Sequence, residues 1–322
     1  MKRYDLLTFG ESMIRLSTRS FERLEQAQVL DIKHGGTEAN VAVALARLGL
    51  RTAWVSRLVD NALGRKIASD LSANGVDTSH IVWASEGRIG LFFLEVGSAP
   101  RASAVLYDRR GSAMSLMSEA DFPWSLLSQT RWLHMTGITA ALSDSCRALV
   151  QAAMRQVLEN DVTLSFDVNY RARLWSPAEA HEALRPLCRD ADVLFVKQQD
   201  ASTVFGYPGE PIQVIRALAD QFGRRVVVLT LGAQGAMALD KASGALIHEP
   251  AYMVPSVVDR VGAGDAFAAG FIAGYMESGS QQGLKWGNAL AALKMSIPGD
   301  MALVTRNDVE ALLSGSDSAI RR

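Results

Sequence analysis

Short apolar runs alternate with segments of helical periodicity along most of this chain, and this alternation limits the choice of fold. The runs YDLLTFG and TAWVSRLV flank a helical segment from Thr37 to Gly49 that ends at a glycine. Later runs, RWLHMTG, VTLSFDVN, ADVLFVK and RRVVVLTLG, are each followed by a polar or glycine-bearing turn and then a helical stretch. Buried strands joined by crossover helices form a mostly parallel sheet with helices on both faces. The pattern predicts an α/β fold whose ligands bind at the carboxyl ends of the strands.

Two segments interrupt this alternation. Residues from about 11 to 34 and from about 88 to 110 are strand-like but lack partner helices, and the second has a hairpin signal at Gly97 to Pro100. We predict that they form a small β-sheet folded over the main domain as a lid. An edge hairpin of the main sheet is the alternative. The 322 residues are then predicted to form a single domain with these lid segments inserted.

The composition excludes several classes of protein. Apolar residues make up 48% and charged residues 21%, with a net charge of -1, which argues against a disordered chain or a nucleic-acid-binding surface. Cys146 and Cys188 lack metal-like spacing and lie in helix-like stretches, which predicts reduced, buried thiols in a cytoplasmic protein. The first apolar run is too short for a signal peptide and is interrupted by Glu11. No run approaches the length of a membrane span, so neither nucleic acid nor a membrane is expected as a partner.

The stretch DRVGAGDAFAAG, Asp259 to Gly270, places an acid beside a predicted anion site. Gly262, Ala263 and Gly264 precede a helix start, where unpaired N–H groups and the helix dipole attract anions. A carboxylate at Asp265 repels a phosphate, so this residue either caps its own helix or acts chemically on a group next to the phosphate. The stretch lacks the Gly-Lys pair of a P-loop and the last glycine of a dinucleotide fingerprint.

Two further stretches place polar residues where ligands are expected. In HGGTEANVAVALARLG a Gly-Gly turn leads into a helix with Thr37 as a candidate cap and Asn40 on the first turn. The bare backbone of the glycines could also bond polyol hydroxyls. In SFDVNYRARLWSP, Asp167, Asn169 and Arg171 alternate, so we expect their side chains to share one face at the end of a strand. Three polar residues there indicate a ligand.

Two other stretches could contact a ligand, but each also has a purely structural interpretation. LTLGAQGAMAL, from Leu229 to Leu239, places two glycines between strand-like runs, which alone predicts a hairpin turn. With GAGD it offers a second glycine-bearing surface that could lie along a nucleotide. In VLYDRRGSA, Tyr107 and Arg109 alternate in the predicted lid hairpin, where they are either ligand contacts or an ordinary solvent-facing pair.

Taken together, GGTEANVAVALARLG, DVNYR and DRVGAGDAFAAG, in this order and spacing, resemble the ribokinase-like (PfkB) carbohydrate kinases. The resemblance runs from about Leu6 to about Leu313. LYDRRGSA, LHMTGITAALS and DVNYRARLWSP are most similar to 2-keto-3-deoxygluconate kinases within that family. The resemblance implies a ribokinase-like three-layer fold with a mostly parallel central sheet and a small β-sheet lid. It also implies transfer of the γ-phosphoryl group of ATP to the primary hydroxyl of that sugar acid, giving the 6-phosphate.

The resemblance also implies roles for individual residues. Asp265 would take the proton from the sugar hydroxyl, and the amides of Gly262, Ala263 and Gly264 would form an anion hole for the transferred phosphoryl group. The implied substrate residues are Gly35, Gly36, Thr37, Glu38, Ala39, Asn40, Phe92, Tyr107, Asp108, Arg109, Arg171 and Asp300. The implied nucleotide residues are Asn169, Lys197, Thr230, Leu231, Gly232, Ala233, Gln234, Gly235, Ala236 and Asn288. Arg109 and Arg171 suit a sugar acid because guanidinium groups bind carboxylates in a bidentate manner.

The chain departs from the family pattern at four positions. The family motif Asn-x-x-Glu, linked to magnesium and phosphate, falls at KQQD, with Lys197 in the Asn position and Asp200 in the Glu position. Mg²⁺ is still expected with ATP, with Asp200 as an indirect candidate ligand, and dependence on a monovalent cation stays open. Phe92 stands where related kinases often have tyrosine, and Arg260 where proline or threonine is common.

Several alternatives remain at the level of sequence. Another small sugar, such as 5-keto-2-deoxygluconate or fructose, could be the substrate, or the chain could be a sugar-binding regulator that has lost catalysis. A dehydrogenase is disfavoured, because neither its glycine fingerprint nor its acidic partner follows the first strand. An exposed apolar lid face would suit a contact between copies, so a homo-oligomer is also expected.

Overall fold

The computed structural model describes residues 2–315. Its strands are β1 Tyr4–Phe9, β2 Met13–Ser17, β3 Asp31–Gly35, β4 Thr52–Val55, β5 Arg57–Val59, β6 Val76–Asp77, β7 Val82–Ala84, β8 Leu91–Glu95, β9 Ala104–Asp108, β10 Thr130–Thr136, β11 Thr163–Asp167, β12 Val193–Lys197, β13 Val226–Thr230, β14 Ala236–Asp240 and β15 Leu246–Glu249. Its α-helices are α1 Thr37–Arg47, α2 Ala62–Ala73, α3 Ser125–Ser128, α4 Gly137–Ala141, α5 Asp144–Glu159, α6 Pro177–Asp190, α7 Gln198–Phe205, α8 Pro211–Gln221, α9 Ala263–Met295 and α10 Arg306–Leu313. Short 3-10 helices span Met114–Leu116, Glu119–Asp121 and Gly232–Gln234.

The main sheet has nine strands in the order β15-β14-β13-β12-β11-β10-β1-β4-β6. The strands from β13 to β6 pair in parallel, and β14 and β15 are added antiparallel at one edge. Along β13, Val227 packs into a core with α5, α6 and α8, whereas Val226 and Val228 pack into a core with α1 and α9. Because successive side chains point to opposite faces and both faces are covered, Val226 to Leu229 of β13 form a continuous apolar run. The predicted α/β fold is confirmed.

A separate sheet of four strands, in the order β3-β2-β8-β9, lies outside the main sheet. Its central strands β2 and β8 are parallel, and the outer strands β3 and β9 pair antiparallel to them. The segments that interrupt the βα alternation therefore form the predicted small sheet, and the alternative of an edge hairpin is wrong. A further pair of short strands, β5 and β7, is parallel.

Three local expectations can be compared with the structure. Thr37 was a candidate cap, but the N-cap of α1 is Gly36, and Thr37 is the first helical residue. Helix α1 ends at Arg47, and Gly49 follows with a φ of 94°, a conformation that favours glycine, as the sequence predicts. Cys146 in α5 and Cys188 in α6 are unpaired and buried, which confirms the predicted buried thiols.

Helix α9, which begins at the GAGD motif, contains non-helical backbone at Ser278 and Gly279 that separates two helical parts. Among the described residues, no helix is both long enough and apolar enough to cross a membrane.

Candidate active site

A cavity of about 250 Å³ lies at the carboxyl ends of the main-sheet strands and extends to the small sheet. Polar side chains reach it from the ends of β11 and β12, from the start of α9 and from β9, and β8 contributes the ring of Phe92. The residues that line it are Glu11, Met13, Gly35, Gly36, Thr37, Asn40, Phe92, Val105, Tyr107, Arg109, Ile138, Asp167, Asn169, Arg171, Lys197, Arg260, Val261, Gly262, Gly264, Asp265 and Asp300. This edge of a parallel sheet is where ligands are expected to bind.

Asp265 lies in the first turn of α9 and is buried in the cavity wall. The N-cap of this helix is Gly262, with a φ of 86°, so the alternative that Asp265 caps the helix is wrong. Burial raises the pKa of the Asp265 carboxyl, and a hydrogen bond of 2.7 Å from Asn40 Nδ2 to Asp265 Oδ2 opposes this shift. Asn40 and Asp265 are 225 positions apart in sequence. The first turn of α1 therefore holds the acid of α9 in place.

The glycines around the cavity allow its walls to approach each other closely. A Cβ atom on Gly35 would overlap the carboxyl group of Asp300, and one on Gly262 would overlap the carbonyl oxygen of Asp300. A Cβ on Gly36 would overlap the carbonyl group of Glu11. At Gly264, by contrast, an added Cβ would meet open space. Gly35, Gly36 and Gly262 thus serve close backbone packing, while Gly264 faces the cavity.

The first turn of α9 has backbone amides without intrahelical acceptors, as at any helix start. The amide of Ala263 already donates to the carbonyl oxygen of Arg260 at 3.2 Å, and Ala263 is not part of the cavity wall. Gly262 and Gly264 do line the cavity. An anion at this helix start would therefore meet the amides at Gly262 and Gly264 before that of Ala263.

The two arginines expected to bind a sugar acid differ in their surroundings. Arg109 forms an ion pair with the buried carboxylate of Glu11, and its guanidinium carbon lies 5.9 Å from the centre of the Tyr107 ring. Arg171 donates a hydrogen bond of 3.3 Å to the carbonyl oxygen of Tyr170. Within residues 2–315, no ion pair within 4.0 Å joins Arg171 to a carboxylate. Of these two arginines, Arg171 therefore offers a guanidinium that is open to an anionic ligand.

The DVNYR stretch reaches the cavity by a route other than the expected one. Strand β11 ends at Asp167, and Asn169 has a positive φ of 40°, so Asp167, Asn169 and Arg171 do not alternate along one strand face. The side chain of Asp167 accepts a hydrogen bond of 3.1 Å from the backbone N–H of Asn169, which closes a turn. Asparagine tolerates the left-handed region better than most residues. All three residues still line the cavity, because this turn folds back over the end of the strand.

Lys197, at the end of β12, points toward the same part of the cavity. Its Nζ donates to Asn169 Oδ1 at 3.4 Å. Burial raises the pKa of Asp167 to about 6, and the positive charges of Lys197 and Arg171 lower it. Asp200 lies outside the cavity wall in the first turn of α7, and its Oδ2 accepts from the Tyr170 amide at 3.2 Å. In the part of the chain that the structure describes, no three His, Cys, Asp or Glu side chains are grouped to hold a metal ion.

The expected nucleotide loop lies beside the cavity without lining it. Thr230 pairs in register with Lys197, and the following residues form a 3-10 turn between β13 and β14. A Cβ on Gly235 would overlap the carbonyl oxygen of Glu249. The side-chain amide of Asn288 donates to the carbonyl oxygens of Glu249 and Pro250 at 2.9 and 3.2 Å. The turn and Asn288 thus meet at one backbone segment although Gly235 and Asn288 are 53 positions apart in sequence.

Some expected substrate residues lie outside the cavity wall. Glu38 is buried behind it and accepts hydrogen bonds of 2.7 Å from the hydroxyls of Thr136 and Thr139, and burial raises the pKa of its carboxyl to about 7. Ala39 belongs to a buried apolar cluster. Asp108 is exposed and forms an ion pair of 2.6 Å with Arg88.

Sequence reasoning assigned no role to several residues that line the cavity, namely Glu11, Met13, Val105, Ile138 and Val261. Glu11 had a signal that could have revealed it, because it follows the apolar run of β1 and so lies at the carboxyl end of a central strand. The apolar residues carry no such signal, since an isolated methionine, valine or isoleucine is equally typical of a core.

The comparisons with known proteins agree with this geometry. Residues 4–306 match the pfkB family of carbohydrate kinases. The chain is 36% identical over 319 residues to the 2-dehydro-3-deoxygalactonokinase of Haloferax volcanii, covering 99% of both proteins. It is 31% identical over 316 residues to the 2-dehydro-3-deoxygluconokinase of Bacillus subtilis, covering 96% of this chain and 95% of that protein. The crystal structure of the 2-dehydro-3-deoxygluconokinase of Thermotoga maritima superimposes with a TM-score of 0.87 at 34% identity, covering 96% of this chain and 99% of that one. The chain therefore belongs to the pfkB family and is a carbohydrate kinase.

Proposed function

We propose that this kinase transfers the γ-phosphoryl group of ATP to the primary hydroxyl of 2-keto-3-deoxygluconate, also called 2-dehydro-3-deoxygluconate, giving the 6-phosphate. The observation that carries the proposal is Arg171, a guanidinium with no carboxylate within 4.0 Å among the described residues, in the cavity that also contains Asp265. A neutral hexose has no use for this charge, whereas a sugar acid offers a carboxylate. Two of the similar proteins named above are kinases of this sugar acid, and the third is a kinase of the corresponding galactonate.

Asp265 is proposed to act as the general base. Its carboxylate accepts the proton of the sugar hydroxyl while the hydroxyl oxygen bonds to the γ-phosphorus and the bond to the leaving ADP oxygen breaks. Asn40 holds the carboxylate by its 2.7 Å hydrogen bond, which favours the deprotonated form that a base requires. The amides at Gly262 and Gly264 stabilise the charge on the transferred group.

ATP is proposed to lie along the turn from Thr230 to Ala236, with its phosphates directed toward Lys197 and the start of α9. Lys197 borders both the turn and the cavity, which supports a contact between its ammonium and a phosphate. Mg²⁺ commonly binds through phosphate oxygens, water and one or two carboxylates. Asp167 and Asp200 are the candidate carboxylates for this arrangement, with Asp200 as an indirect ligand. The ion neutralises phosphate charge when bound.

A second candidate substrate is the C4 epimer, 2-keto-3-deoxygalactonate. The relative from Haloferax volcanii, at 36% identity, carries that name. The two sugar acids share the carboxylate and the primary hydroxyl, so Arg171 and Asp265 would serve either one. The dehydrogenase alternative is excluded, because the chain is a carbohydrate kinase.

A substrate panel tests the proposal. ADP release from the purified protein is measured with both epimers, 5-keto-2-deoxygluconate and fructose, and NMR locates the phosphate on the product. We expect the highest kcat/KM for 2-keto-3-deoxygluconate, with phosphorylation at C6. A higher kcat/KM for its epimer would select the second candidate, and a higher value for fructose would overturn the sugar-acid assignment.

A further inference from the structure

Lys294, in the last turn of α9, is a buried charge that the proposed reaction does not use. Its side chain is 0% exposed. Burial lowers the pKa of its ammonium, and the carboxylates of Asp259 and Asp300 oppose the shift. A buried ammonium is costly unless oxygen atoms replace its water shell. The contacts of Lys294 therefore indicate what this charge does.

The ammonium of Lys294 is surrounded by oxygen atoms from two loops. Its Nζ donates to the carbonyl oxygen of Asp259 at 2.8 Å and to that of Ile297 at 3.5 Å, and it lies 4.0 Å from Asp259 Oδ1. Carbonyl and carboxylate oxygens are also the groups that replace the water shell of a bound potassium ion. The oxygens around Lys294 are thus of the type that a monovalent cation would bind.

The oxygens around Lys294 also support the start of α9 from Gly262 to Gly264, which we call the anion-binding turn. The carboxylate of Asp259 accepts hydrogen bonds of 3.0 Å from the amides of Val261 and Gly299. Val261 directly precedes Gly262, the N-cap of α9, and Gly299 directly precedes Asp300 in the cavity wall. A cation bound to Asp259 therefore fixes two sides of the cavity relative to each other, namely the start of α9 and the segment that contains Asp300.

Arg15 extends this buried cluster to the small sheet. From β2 it donates to Asp259 Oδ2 at 2.7 Å and to Asp300 Oδ1 at 2.6 Å. Two cations, Arg15 and Lys294, thus face two carboxylates, Asp259 and Asp300, in a cluster whose formal charges balance. A further monovalent cation would add an unbalanced charge beside two existing ones and would compete with Lys294 for the same carbonyl oxygens.

We infer that Lys294 is a positioning residue whose ammonium serves as a built-in monovalent cation behind the anion-binding turn, so that this kinase needs no added potassium. The inference rests on the proposed role of that turn in phosphoryl transfer. A lysine with only a structural role would stabilise the end of α9 without affecting kcat.

Potassium titration of the full chain gives the first test. Activity with ATP, Mg²⁺ and the best substrate is measured in tetramethylammonium buffer with and without KCl at constant ionic strength. We expect kcat to be unchanged by potassium. A saturable rise in kcat with potassium that sodium does not reproduce would overturn the inference.

Replacement of the lysine gives the second test. Lys294→Ala is expected to lower kcat roughly 10- to 100-fold, below the loss usual on deleting an anion-hole donor, with little change in the KM of the sugar. Potassium or methylammonium, which can enter the space left by the side chain, is expected to restore part of kcat. Lys285→Ala, at a half-buried position of the same helix, is the matched control and is expected to retain its activity. Unchanged kcat in Lys294→Ala, or a loss that neither cation restores, would overturn the inference.

Thermal unfolding separates this inference from the assignment of the substrate. Potassium is expected to raise the Tm of Lys294→Ala and to leave that of the unmodified chain unchanged, because only a cation that binds the folded state stabilises it. If Lys294→Ala does not fold, Lys294→Ser, which leaves a similar space for a cation, replaces it in both measurements. If no sugar is phosphorylated, the proposed function is wrong. The role of Lys294 is tested independently, because a potassium-dependent Tm in the unmodified chain would overturn it.

Discussion

At the scale of single residues, Asp265 carries the proposed chemistry. Asp265→Asn keeps the shape of the side chain and removes the base, so we expect kcat to fall by roughly 10²- to 10⁴-fold with little change in ATP affinity. Steady-state kinetics and nucleotide titration measure the two effects. Near-normal turnover in this variant would remove the proposed mechanism.

The hydrogen bond from Asn40 makes a prediction about pH. Donation from Asn40 stabilises the charged form of Asp265 and so lowers its pKa against the opposing effect of burial. Asn40→Ala should therefore raise this pKa, and because the base acts only when deprotonated, the acidic limb of kcat/KM should move to higher pH. A lost hydrogen bond to a charged group corresponds to a shift of roughly one to two pH units.

Profiles of kcat/KM against pH for Asn40→Ala and the unmodified chain measure this shift. A limb that stays in place or moves to lower pH would show that Asp265 does not govern the acidic side of the profile.

Arg171 is predicted to distinguish a sugar acid from a neutral sugar. Arg171→Met keeps the approximate length and removes the charge, so kcat/KM for 2-keto-3-deoxygluconate should fall by roughly 10- to 100-fold. Any slow activity toward fructose should change much less. Equal losses with both substrates, accompanied by a lower Tm, would mean that Arg171 only supports the turn after β11.

At the scale of elements, the small sheet is predicted to act as a lid. Phe92 and Tyr107 of β8 and β9 line the cavity, yet β9 is mostly exposed and forms an outer strand. The sugar should therefore slow hydrogen exchange in β8 and β9 more than in the outer helix α5. Strand β2 should respond less, because Arg15 already ties it to Asp259 and Asp300. Equal exchange in β9 with and without sugar would contradict a lid.

At the scale of the whole molecule, the outer face of the small sheet is predicted to join copies of this chain. Strand register places Ile32, Leu16, Phe93 and Leu106 in one row across the four strands. Ile32 and Leu106 are 54% and 55% exposed. Phe92 and Tyr107 point into the cavity, so their neighbours Phe93 and Leu106 point away from it.

Sedimentation analysis tests this contact. We expect the unmodified chain to be a homo-oligomer and Leu106→Asp to dissociate it, because the charge would be buried at an apolar contact. Leu158→Asp, at an equally exposed position on α5, is the matched control and should leave the assembly unchanged. A monomeric unmodified chain would contradict the prediction.

The sequence alone determined the fold class and the motifs of the site. Mostly apolar strands and amphipathic helices encode the parallel sheet through local periodicity. Gly262, Gly264 and Asp265 lie within four consecutive positions, so the sequence itself indicated that they begin a helix. The small sheet was readable too, because its strands lack crossover helices. These features depend on residues near one another in sequence.

The tertiary structure decided which distant residues meet. Asn40 reaches Asp265, Glu11 neutralises Arg109, and Arg15 with Lys294 holds Asp259, in pairs whose members lie far apart in the chain. The alternation of polar residues in DVNYR also predicted the wrong backbone path, because the positive φ of Asn169 ends the extended conformation of the strand. Pairings of buried charges depend on three-dimensional packing, and a single sequence carries no local signal for them.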